Sequence, residues 1–172
     1  MRRIVCKIAW ACLASGSLLA FSARAEEIES GPPLALQATI PLKGVTGRID
    51  HMAADLKRNR LIVAELGNNT VDVIDLTDGK LVSRITGLHE PQGVGYAERG
   101  DLVLVANAGD GAVRMFRGED LAPLGSISLG DDADNIRIDP RSGLAVVGYG
   151  RGGLAIIDPV SRGKIADIHL PG

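Results

Sequence analysis

The sequence predicts an all-β fold, a β-propeller of four-stranded antiparallel blades of which about three are present. Three observations carry this. A hairpin pattern at Arg60 to Asp75 returns about 42 residues later and then again, so that Ala64, Ala106 and Gly148 share one register and Val71, Val113 and Leu154 another. Each copy pairs a short apolar run with a turn that contains glycine, Gly67-Asn68-Asn69, Gly109-Asp110-Gly111 and Gly150-Arg151-Gly152-Gly153, a composition that suits hairpin turns. No stretch shows a helical apolar stripe, and an all-strand repeat of this length is the mark of propeller blades rather than of helical solenoids.

In chain order, the first 25 residues read as an export signal. Arg2, Arg3 and Lys7 give the positive end, Ile8 to Phe21 the apolar stretch, and Ala23-Arg24-Ala25 the small-residue cleavage site. The apolar stretch is short for a bilayer span, so no stable membrane insertion is expected after cleavage. Cleavage would leave 15 basic against 21 acidic residues, a net charge of −6, and would remove both Cys6 and Cys12. A chain of that charge offers no basic stripe for nucleic acid, and thiol chemistry is excluded. Arg2-Arg3 weakly echoes a twin-arginine signal beside the general export route.

Residues 26–34 form a polar entry with Pro32-Pro33, expected to be mobile. Residues 35–45 read as a lone strand, because Ile40 takes the place that Ile85 holds in the first full repeat. Such a strand would close the ring against a blade lying elsewhere. The blades are expected at 46–89, 90–130 and 131–172, with inner strands around Met52, Val94 and Ile136 and outer strands ending near Ile85, Ile127 and Ile168. Three blades do not close a ring. The expectation is a portion of a longer propeller or one part of an oligomeric ring, with self-association through open blade edges.

The residues most suited to chemistry stand where each inner strand begins, facing one mouth of the channel. They are Asp50 and His51; His89, Glu90 and Gln92; and Asp131, Asp132, Asp134 and Asn135. Carboxylates and imidazoles gathered at one mouth could take a metal ion or a small ligand. The competing explanation is a solvated loop. Strand alternation predicts that Asp50 and His51 point to opposite faces and do not touch. Gly148 to Gly153 spells G-x-G-x-x-G, but a strand-like run follows it where a dinucleotide site needs a helix, so it reads as a hairpin turn. No serine lies in a G-x-S-x-G elbow. No catalytic residue and no cofactor is assigned, with a metal ion left as an open option.

The repeats resemble the YVTN family of propeller repeats, and more closely the YncE-like periplasmic propellers. Leu104-Val105-Ala106-Asn107 stands where that family writes Tyr-Val-Thr-Asn, Asn68 to Asp75 matches its hairpin, and Asp78-Gly79-Lys80 its outer turn. The likeness covers nearly all of Gly47 to Gly172, with Ile62, Leu104 and Val146 replacing the tyrosine and, in the third blade, Gly148-Tyr149 replacing Thr-Asn. The resemblance implies a binding or scaffold protein of the periplasm whose partner is a protein or small molecule. The alternative it implies is a metal-dependent propeller enzyme or redox-enzyme subunit, lactonase-like or amine-dehydrogenase-like, with its site at the channel mouth.

Overall fold

The structure is a computed structural model and describes residues 34–171; residues 1–25, expected to be an export signal, and residues 26–33 lie outside the described residues. The chain divides into two units at Leu36 and Gln37, and every strand among the described residues lies in the second.

Among the described residues twelve strands form three four-stranded antiparallel sheets, each built from four strands consecutive in sequence. The first sheet contains β1 (Met52–Asp55), β2 (Arg60–Glu65), β3 (Thr70–Asp75) and β4 (Lys80–Ile85). The second contains β5 (Pro91–Ala97), β6 (Leu102–Asn107), β7 (Ala112–Arg117) and β8 (Pro123–Ser128). The third contains β9 (Ala133–Ile138), β10 (Ala145–Tyr149), β11 (Gly153–Asp158) and β12 (Gly163–His169). Short turns suffice because antiparallel neighbours need no crossover. The β2–β3 turn is a single 3-10 turn, Leu66–Asn68, closed by Asn69 at φ 58°, a conformation that Asn tolerates better than most residues. Gly150 to Gly152 join β10 to β11, so the glycine-rich string is a hairpin turn.

Period-2 alternation explains how the sheets stack. β6 is buried along its whole length. Val103 and Val105 enter a core shared with Ile62, Ala64, Val71 and Val73 of the first sheet. Leu102, Leu104 and Ala106 enter a second core with Ile136, Ala145, Val147, Ala155 and Ile157 of the third sheet. The unbroken apolar run Leu102 to Ala106 is therefore the sequence of a strand covered on both faces. A bulge recurs at one place in every outer strand, where Val82, Leu124 and Ile165 each stand as the extra residue between two paired neighbours.

Residues 34–51, which include the segment expected as a closing strand, carry no strand assignment. A strand is defined by its ladder, and no described strand pairs with residues 35–45.

Candidate functional site

The inner strands β1, β5 and β9 follow one another side by side. The His51 amide donates to the Gln92 carbonyl at 3.3 Å, tying the start of the first blade to that of the second. The second meets the third more closely still: a Cβ on Gly93 would stand 1.9 Å from the Asp134 carbonyl oxygen, so only glycine fits there. The three expected clusters thus occupy one rim.

That rim has a shared local structure. In the second sheet Pro91 pairs with Asn107 and Val94 with Val105, which leaves Gln92 and Gly93 together opposite Ala106. In the third, Ala133 pairs with Tyr149 and Ile136 with Val147, leaving Asp134 and Asn135 opposite Gly148. In the first, the Asp50 amide donates to the Ala64 carbonyl and the Ala64 amide to the His51 carbonyl, both at 2.9 Å, so two residues again oppose one. A bulge therefore opens every inner strand at the same repeat position. Bulges bend a strand and re-aim its side chains.

The bulge corrects one expectation. Asp50 and His51 do not point apart: His51 Nδ1 lies 3.0 Å from Asp50 Oδ1. Pleat alternation holds only where pairing is one to one, and here it is not. The contact is close but misaligned, since Nδ1 is buried without a hydrogen bond. Asp50 Oδ2 instead accepts from the Arg48 guanidinium at 2.6 Å.

The remaining candidates are placed by their backbones. The His89 amide donates to Asn107 Oδ1 at 3.0 Å, and the Glu90 amide to Asn69 Oδ1 at 2.7 Å. Glu90 sits at φ 49°, and its carbonyl accepts from Ala108. This blade-joining loop is thereby pinned between the hairpins of the first and second sheets. Asp131 packs against Gly111, where a Cβ would come within 2.5 Å of the Asp131 nitrogen. The Asp132 carbonyl accepts from Gly150. Asp132, Asp134 and Asn135 line a cavity of about 220 Å³ beside Tyr149 and Leu170. Asp134 Oδ1 is buried and makes no hydrogen bond, while Asn135 Oδ1 accepts from Arg137.

Among the described residues, no group of three or more His, Cys, Asp or Glu side chains is placed to hold a metal ion. Asp50 and His51 form a pair, one short of the three protein ligands that catalytic zinc sites use. The donor set in these blades does not fit a catalytic metal, and no step through one is derived.

Two polar networks were not anticipated from the sequence. The first ties the first blade to the second at the far end of the inner strands. The buried Asp55 carboxylate accepts from Arg58 at 3.1 Å and from Arg60 at 2.7 Å. Arg58 also reaches Asp101 at 2.6 Å and Tyr96 Oη at 3.2 Å, and Tyr96 donates to Asp101 at 2.7 Å. Arg58 holds the Asp101 carboxyl below the ordinary range, and burial, aided by Asp101, pushes the Tyr96 phenol up to about 12. The second network, Glu65–Asp72–Arg84, lies within the first sheet, with Arg84 gripping both Asp72 oxygens at 2.6 Å. Arg58, Tyr96 and Asp101 come from different turns and strands, and no local spacing announces their meeting.

No protein-family model matches the chain, and neither does any curated protein. Solved structures do match. A chain of hydrazine synthase from Kuenenia stuttgartiensis superposes with a TM-score of 0.66 at 19% identity, over 79% of this chain and 39% of that one. The fold is that of a partial β-propeller. The chain spans well under half the length of that neighbour, and at such identity the likeness speaks for architecture alone.

Proposed function

We propose that this protein is a periplasmic, YncE-like propeller that acts as a binding or scaffold module, exported through residues 1–25 and using the bulged rim as its binding surface. The observation that supports this reading is the recurrence of one irregularity. Three consecutive inner strands each open with a two-against-one bulge, at Asp50-His51, Gln92-Gly93 and Asp134-Asn135. A bulge frees backbone groups from the ladder, as the His51 amide is freed to join the Gln92 carbonyl of the next blade, and re-aims the side chains it carries, which suits a shared surface for a ligand there. His89, Glu90, Asp131 and Asp132 border the same rim from the blade-joining loops and would widen the contact.

The test is site-specific photo-crosslinking in cells of the native source. A benzophenone amino acid is placed at Gln92 and, as a control, at Lys80 on the outer strand, and the recovered protein is read by intact mass. An adduct from position 92 that is absent from position 80 and reduced by His51→Ala with Asp134→Ala is the expected result. Adducts that ignore position, or that survive those substitutions unchanged, would refute the rim as the binding surface. The same masses report whether the exported chain begins at Glu26.

A further inference from the structure

The end of the inner strands opposite the bulged rim carries a feature that the rim lacks. Lys57, Arg99 and Arg141 are 42 residues apart in turn, one cation in the turn that follows β1, β5 and β9. All three line a single cavity of about 620 Å³. Its other walls include Tyr96, Ile138 and Pro140, so cations stand around a largely apolar body. That volume lies in the ordinary range of small-molecule sites.

The local charges leave these cations available. Asp101, 4.0 Å from the Lys57 ammonium, is already held by Arg58 at 2.6 Å. Arg99 donates to the Ser142 carbonyl at 3.0 Å and stands 3.6 Å from Asp158, a distance that leaves a half-exposed guanidinium with free donors. The Arg141 guanidinium has no hydrogen-bonding or ionic partner among the described residues. Two acids share the cavity wall, Glu98 and Asp139. Asp139 is committed to its own turn: it accepts from the Arg141 amide at 3.2 Å, the Ser142 amide at 3.1 Å and the Ser142 hydroxyl at 2.5 Å. Those bonds favour the ionised Asp139, so the wall sets three cations, Lys57, Arg99 and Arg141, against two carboxylates, Glu98 and Asp139, and Glu98 is the one whose side chain is not tied into a turn.

We propose that this cavity binds a small organic anion carrying carboxylate or phosphate groups, with Lys57 and Arg141 as its principal charged contacts and Arg99 placed to assist. Guanidinium forks match both anionic groups, and neighbouring low-dielectric walls strengthen the attraction. The site is independent of the bulged rim, since it lies at the other end of the same strands.

The test is calorimetric titration of the full chain with citrate and, separately, with glucose 6-phosphate. Binding of either, weakened by added salt, is the expected result, and the preferred probe identifies the anionic group. Arg141→Ala should weaken it about tenfold, the effect of losing one charge-assisted contact. Lys57→Ala should act likewise, Glu98→Gln should tighten binding, and Lys80→Ala, which removes the same charge elsewhere, should change nothing. Lys57 and Arg141 are surface side chains, so circular dichroism of both variants should match the parent. Failure of both probes to bind, or binding undiminished when Lys57 and Arg141 are replaced together, would overturn the proposal.

Discussion

Glu65 is a fully buried acid whose sister position in the next blade, 42 residues on, is Asn107. The Asn107 amide donates to the Val105 and Ala112 carbonyls, both at 3.2 Å, while its oxygen accepts from His89. Glu65 accepts from Thr70 at 2.5 Å through one oxygen, and its other oxygen is buried without a partner. Burial first, and the neighbouring Asp72 second, raise its pKa above the ordinary glutamate value of 4.5. Between 4.5 and the raised folded value the folded chain holds a proton there that the unfolded chain has lost, so stability falls as pH rises through that window. Glu65→Gln removes that loss. At neutral pH it should raise stability by about 1 kcal/mol, with the gain shrinking as pH drops toward the carboxylate range. Thermal unfolding of both proteins across a pH series checks this, and an unchanged or lowered midpoint at neutral pH would contradict it. Two glycines give a sharper contrast. Gly93→Ala drives a Cβ into the Asp134 carbonyl and should cost about 3 kcal/mol or more. Gly148→Ala meets nothing within 4 Å and should stay within about 0.5 kcal/mol of the parent in a denaturant titration.

At the scale of the elements, the first and second sheets are joined by apolar packing and by the Asp55–Arg58–Tyr96–Asp101 network. Asp101→Asn leaves the shape and removes the charge that Arg58 holds at 2.6 Å. It should destabilise the protein by about 1 to 2 kcal/mol at neutral pH. Because the folded Asp101 carboxyl titrates below its ordinary value of 3.8, the parent enjoys that stabilisation above this value and loses it as pH falls through the folded one. Parent and variant should therefore converge in acid, and hydrogen exchange at neutral pH should quicken in β1 and β5 of the variant before it does in β11. The strands themselves were legible in the sequence. Ala64, Ala106 and Gly148 announced the repeat, and Leu102 to Ala106 announced a strand with two covered faces. The bulges were not legible, because a two-against-one pairing adds no residue to a repeat that already contains it. For the same reason alternation misplaced His51 relative to Asp50. The cations Lys57, Arg99 and Arg141 kept the period but sit in turns, where polar residues are ordinary, and only the shared cavity distinguishes them.

At the scale of the whole molecule, the sheet β5–β8 shares a core with each of the other two, whereas the sheets β1–β4 and β9–β12 each share one. Their outer strands expose apolar side chains accordingly, with Val82 at 53% and Ile165 at 56%. Leu124, the same bulge residue in the second sheet, packs against a core. Apolar strand surface left open favours association. Light scattering should show an assembly that grows with concentration, and Val82→Lys with Ile165→Lys should reduce it, while a concentration-independent mass in the parent would count against this. The functional reading rests on a different whole-molecule property, the convergence of three repeat positions on one rim. Paramagnetic relaxation measures it most directly. A spin label on Gln92→Cys, in a chain whose Cys6 and Cys12 are replaced by Ser, should broaden the amides of residues 50–51 and of residues 134–135 together. Broadening confined to the labelled blade would mean that the inner strands do not meet at a common mouth, and the rim would not exist as a binding surface.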